Sequence, residues 1–152
     1  MLPGPAAVAA CVKAPGKKAL LADLAHRVAT IHGLEERRVF DLLLERERLG
    51  STGIGGGIAI PHGRLAGLGH PLGLFARLGH PVDFDSIDER PVDLVFLLLA
   101  PEGAGADHLK ALARVSRLLR DRALVEKLRA TEKADALYAL LIEPQTTTQS
   151  AA

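Results

Sequence analysis

The chain has 152 residues, of which 48% are hydrophobic but only 3% aromatic, with no Trp; that is enough to bury one aliphatic core as one domain. Lys and Arg number 19 against 18 Asp and Glu, a net charge of +1, which argues against nucleic-acid binding through bulk basic charge. A single Cys excludes an intramolecular disulfide and a Cys-based zinc site, and no apolar run approaches the roughly 18 residues of a membrane span.

In chain order, Val8-Ala9-Ala10-Cys11 superficially matches a lipoprotein cleavage box. However, no Lys or Arg precedes it, and Pro3 and Pro5 interrupt the apolar stretch a signal requires. A short first strand over about Ala7 to Val12 is the better reading. Lys17 to His32 follows as a helix with Leu20, Leu21, Leu24, Val28 and Ile31 on one face and Gly33 as its stop. A second helix is expected from Glu35 to Leu49, ending at Gly50. Ser51 to Gly57 is a glycine-rich loop, and Ile58-Ala59-Ile60 a short strand halted by Pro61.

Leu72 to Leu78 alternates weakly, as a strand does. Leu94 to Ala100 is continuously apolar between Pro91 and Pro101, the pattern of a central strand buried on both faces. Asp107 is placed to cap a helix running to Arg120, and Asp121 and Thr131 to cap two shorter ones. Residues 144–152 hold no large apolar side chain and read as a disordered tail to a single domain over 1–143. The order implies one α/β domain, a sheet covered by helices on both faces.

Three places could hold chemistry. In the second helix, Arg46 lies near the middle of the apolar arc and Glu47 inside it. A charge aimed at the core needs a partner. Arg46 therefore pairs internally with Glu47, snorkels past the core edge, or reaches an anion site at the end of its helix. The glycine-rich loop could cradle phosphate oxygens on its amides. Yet no Lys-Ser or Lys-Thr follows it, and it lacks the Gly-x-Gly-x-x-Gly spacing, so it is no nucleotide motif. Pro61 fixes the backbone before His62, and Gly63 leaves room beside the imidazole; this would present a His at a sheet edge.

Third, His108 falls in the first turn of its helix on the face of Leu112, Val115 and Leu119. A helix N-terminus disfavours the imidazolium form. His108 is either a satisfied core-edge histidine or a neutral ring that donates one hydrogen bond and accepts another. His26, His32, His70 and His80 are weak candidates, and no His-x-x-x-His or His-Glu-x-x-His pattern supports a metal site. Arg114, Arg117, Arg120 and Arg122 concentrate positive charge late in the chain, as a solvated helix face or as a guide for an acidic partner.

The stretch Arg46-Glu47-Arg48-Leu49-Gly50-Ser51-Thr52-Gly53-Ile54-Gly55-Gly56-Gly57-Ile58-Ala59-Ile60-Pro61-His62-Gly63-Arg64-Leu65 resembles the IIA component of the bacterial phosphoenolpyruvate-dependent phosphotransferase system, fructose/mannitol class, and most of all its nitrogen-regulatory branch. The likeness continues in Phe84-Asp85-Ser86-Ile87-Asp88, Pro91-Val92-Asp93-Leu94-Val95-Phe96-Leu97-Leu98 and Asp107-His108-Leu109, and so covers roughly Lys13 to Ile142.

The resemblance implies a mixed β-sheet between layers of α-helices. It implies that His62 is the phosphoacceptor, His108 the second active-site histidine and Arg46 the arginine beside the phosphoryl oxygens. Ser51, Thr52 and the backbone at Gly63 are expected to add phosphoryl-stabilising groups. No metal or cofactor is required. The implied donor is an HPr-like phosphocarrier, and the implied targets are transporters or sensor kinases, in the cytoplasm, with no nucleic acid and no membrane insertion; the oligomeric state, homodimer included, stays open. Alternatives are a sugar-specific IIA protein handing phosphate to a IIB domain, and a binding module that no longer transfers. Gly56 stands where the nitrogen branch usually has Asn, which would either weaken a hydrogen bond near the phosphoryl site or blur the branch assignment.

Overall fold

The apolar segment from Leu94 to Ala100 is where the fold is assembled. The structure is a computed structural model that describes residues 1–103 and 105–143; the expected tail over 144–152 lies outside the described residues. In chain order it holds a 3-10 turn (Pro5–Ala7), strand β1 (Val8–Val12), helices α1 (Lys17–His32) and α2 (Glu36–Arg48), and strands β2 (Gly53–Gly55), β3 (Ile58–Ala59), β4 (His62–Leu65), β5 (Leu72–Val82) and β6 (Val92–Pro101). Helices α3 (Gly105–Leu118), α4 (Arg122–Ala130) and α5 (Ala134–Ile142) complete it.

The sheet runs β1-β5-β6-β3-β2, with β4 also on β6. It is mixed: β1 is parallel to β5, β5 antiparallel to β6, and β3 and β4 parallel to β6. Strand β6 is buried from Leu94 to Ala100 because both its faces are covered. The two-residue alternation sorts its side chains. Leu97 and Leu99, with Leu74 and Ala76 of β5, join the core that α1 and α2 supply through Leu20, Leu24, Val39 and Leu43. Leu94 and Phe96, with Phe75, join the opposite core beneath α3, α4 and α5. Each cluster buries large aliphatic side chains at roughly 1.5–3 kcal/mol apiece before entropy is charged against it.

Several sequence expectations shift by physical detail. Pro61 interrupts the strand but does not end it. The chain resumes as β4 on the same side of β6, with Leu98 N–H bonded to the Pro61 carbonyl at 2.9 Å. Part of the glycine-rich loop is a strand pair, β2 antiparallel to β3. Asp107 does not cap α3, which starts at Gly105. Asp121 does cap α4, its carboxylate accepting from Leu124 N–H at 3.2 Å. Thr131 closes α4 rather than opening the next helix: its hydroxyl donates to the Lys127 carbonyl at 2.6 Å, and α5 begins at Ala134. Gly33 stops α1 in the left-handed region, φ 67°, which favours glycine.

Candidate active site

Gly63 brings the two layers together at the sheet edge. A Cβ there would lie 2.8 Å from Leu42 Cγ, so only glycine lets α2 settle this close on β4. Leu42 and Arg46 are four apart on α2 and share a face, and Arg46 is thereby carried to β4. Because Gly63 faces α2, its strand neighbours His62 and Arg64 face the α3 side. There the half-buried His62 meets His108, ring centroids 5.7 Å apart and planes 80° apart. The resting charge on α2 is held by a different residue. Val39, Leu43 and Glu47 form its buried stripe, and Glu47 pairs with Lys17 at 2.6 Å, not with Arg46.

Hydrogen bonding fixes the tautomers of both rings. His62 Nδ1 lies 2.7 Å from the Ile60 carbonyl, which can only accept, so Nδ1 carries the proton. Nε2 is left with its lone pair, toward which Arg46 Nε–H points from 3.3 Å. Arg46 is itself anchored by Nη1 donating to the Gly50 carbonyl at 2.9 Å. His108 has the opposite tautomer. Its Nδ1 accepts from Arg64 Nε–H at 3.1 Å, so its proton sits on Nε2, which is buried and has no partner among the described residues. Both rings are held neutral. Desolvation, foremost, and then the Arg46 charge lower the His62 pKa against the raising effect of the Ile60 carbonyl and Glu47. Desolvation, then His62 and Arg64, lower that of His108.

His62, Arg46 and His108 therefore converge, whereas Ser51 and Thr52 have their hydroxyls engaged elsewhere. Ser51 Oγ donates to the Phe84 carbonyl and accepts from Gly53 N–H at 3.0 Å. Thr52 is bound through hydroxyl and amide to the buried Glu47 carboxylate. These two residues tie down the exit from α2. Gly63 contributes the close approach just described, by lacking a side chain.

Arg64 is the site residue that sequence reasoning passed over; its two-residue offset from His62 in a strand was the available signal. Gly56 is remote from the site. Ile58 stands opposite Leu94 and His62 opposite Leu98, four residues or about 13 Å along β6. The expected loss of a hydrogen bond near the phosphoryl site therefore does not occur. Gly56 instead turns β2 into β3 at φ 67°, its amide bonded to Asp88 at 2.9 Å.

A neutral imidazole whose unprotonated nitrogen is held only by a guanidinium N–H, beside a second ring with a buried N–H donor, is an acceptor site for a group carrying negative oxygens. The chain belongs to the family described as phosphoenolpyruvate-dependent sugar phosphotransferase system, EIIA 2, whose sequence model matches residues 5–143. It is similar to a nitrogen regulatory protein of Bradyrhizobium diazoefficiens, 56% identical over 146 residues that cover 96% of this chain and 95% of that one. A nitrogen regulatory protein of Pseudomonas aeruginosa is 44% identical, over 88% and 89% of the two chains. The crystal structure of nitrogen regulatory protein IIA-Ntr from Neisseria meningitidis superposes with a TM-score of 0.86 at 36% identity, covering 92% of this chain and 95% of that one. Among the described residues, no helix is long and apolar enough to cross a membrane.

Proposed function

We propose that this chain is a regulatory IIA protein of a nitrogen-type phosphotransferase system, which takes a phosphoryl group from an HPr-like phosphocarrier onto His62 Nε2 and acts on transport or metabolism through its phosphorylation state. The observation that carries the reading is the Nδ1–H bond to Ile60, which leaves Nε2 as the nucleophile. In the proposed reaction the Nε2 lone pair attacks phosphorus in line, the carrier's P–N bond breaks, and the electron pair stays on the carrier's histidine. The positive charge that builds on the His62 ring is met by the Ile60 carbonyl at Nδ1. Arg46 and His108 Nε2–H bind the equatorial oxygens, and Arg64 acts as a positioning residue that holds the donor tautomer of His108. Phosphoryl transfer depends mainly on such alignment and charge placement.

Leu49, just past the end of α2, and Leu109, next to His108 on α3, are 82% and 66% exposed and form the apolar contact for the carrier. Loading a dianion between them would repel or desolvate a bound target, which makes the phosphorylation state a switch. The cytoplasm, where such carriers work, is the proposed compartment. The nitrogen branch is preferred over a sugar-specific IIA role because the relatives of up to 56% identity carry the nitrogen regulatory name.

The test is transfer from phosphoenolpyruvate through the first enzyme of the system and a phosphocarrier. One acid-labile phosphate per wild-type chain and none on His62→Ala are expected. Labelled His62→Ala would overturn the acceptor assignment, and docking without loading of the wild type would leave a binding module.

A further inference from the structure

The arginines concentrated late in the chain separate in the fold. Arg114 and Arg117 are exposed on α3. Arg120 and Arg122, equally exposed, line with Arg90 and Arg129 a cavity of about 390 Å³ that opens to solvent beside the β2–β3 turn, a volume in the range of small-molecule sites. Arg129 is a fixed wall of it. Its guanidinium grips Asp93 through two bonds of 2.8 Å and donates to the Gly56 carbonyl at 2.5 Å, so its charge is answered. Arg90, Arg120 and Arg122 form no ion pair among the described residues. Against these three charges the lining offers a single acid, Glu126. The nearby Asp88 carboxylate, bound to the amides of Gly56 and Arg90, offsets part of the Arg90 charge, so the excess rests chiefly on Arg120 and Arg122. Ile54 and Val125 supply an apolar wall.

Forked guanidinium donors match phosphate oxygens. The apolar wall suits a flat ring, and a carboxylate accepts from a hydroxyl or amine. We propose that this cavity binds a small phosphorylated molecule of nucleotide size, its phosphates toward Arg90, Arg120 and Arg122 and its ring over Ile54 and Val125. The concave shape favours a small molecule over an acidic protein segment. The cavity lies beyond the C-terminal end of α3, which His108 precedes by ten residues or about 15 Å of helix. It is therefore a second site, and it stands whether or not His62 is the acceptor.

Calorimetric titration of the full chain with ADP, at about 0.15 M salt so that diffuse attraction is screened, tests this. Saturable one-to-one binding is expected. Arg90→Gln, Arg120→Gln and Arg122→Gln should each weaken it about fivefold, as losing one charge-assisted contact does. Arg114→Gln and Arg117→Gln should leave it unchanged, as should Arg46→Gln, which probes the His62 site. Pyrophosphate, lacking the ring, should bind at least about tenfold more weakly than ADP, given the apolar area it leaves uncovered. Absence of saturable binding below about 1 mM, a threshold for weak complexes, would overturn the proposal. So would loss of binding in Arg46→Gln but in none of the cavity variants, or pyrophosphate binding as tightly as ADP.

Discussion

At the C-terminal end of β6 two imidazoles meet with one buried N–H left unpaired among the described residues, whereas near its N-terminal end two carboxylates are closed on their donors. His62 Nε2 keeps a lone pair and His108 Nε2–H has no partner among the described residues. About 13 Å away along the strand, Asp93 is gripped twice by Arg129, and Asp88 accepts two amides. Both ends are entered through glycines, yet the glycine cluster serves the closed end. Glycine richness marks where backbone must turn or approach; an unprotonated ring nitrogen beside a guanidinium and a second ring marks where an incoming group can be received.

The largest effect is expected at the His62 end. His108→Ala removes one donor for the transferring group and should slow loading about 100-fold, the usual loss for a single preorganised donor. Carrier docking should persist in a binding titration. Unchanged loading would show that the buried N–H is idle. The next effect is on stability. Glu47→Ala leaves Lys17 only the Phe84 carbonyl and the more distant Asp85, and frees the Thr52 amide and hydroxyl. Urea unfolding should register a loss of about 2–3 kcal/mol, under the 3–5 of a fully buried pair because the Lys17 side chain is 21% exposed.

Acid should sharpen the contrast further. His62 and His108 have folded pKa values below the 6.5 of a free histidine. Above about pH 6.5 both rings are neutral in folded and unfolded chains and add nothing to stability. Below it the unfolded chain takes up protons first, so stability falls with pH until the folded rings also titrate. The urea midpoint should therefore drop from about pH 7 to pH 5 by more in the wild type than in the double variant His62→Ala, His108→Ala. The smallest effect belongs to the closed end. Gly56→Asn enters a left-handed position that Asn tolerates, with nothing within 4 Å of the new Cβ. Stability should change by no more than about 0.5 kcal/mol, with loading unchanged.

What the sequence revealed follows from how local the cause was. The continuous apolar run of β6, the periodic faces of α1 and α2, the Gly33 stop and the Asp121 cap each depend on near neighbours. Thr131 was misplaced because a hydroxyl between two helices serves either terminus equally well. The residues His62, His108 and Arg46 were legible through resemblance to a family; spacing left Arg46 and His108 open between buried partners and a site. The Lys17–Glu47 pair and the Arg64–His108 bond join residues 30 and 44 positions apart, and no periodicity reports such partners. Arg46 and Glu47 share one apolar arc, which suggests a pair. The close seat of Leu42 on Gly63 accompanies the turn of one toward His62, while the other faces Lys17.

Phosphoryl acceptance rests on one ring nitrogen, which nuclear magnetic resonance of ¹⁵N-histidine-labelled protein loaded with phosphate reads out. Phosphorus bonded to Nε2 of His62, with Nδ1 still protonated against the Ile60 carbonyl, is the predicted result. Phosphorus on Nδ1, or on another histidine, would contradict it.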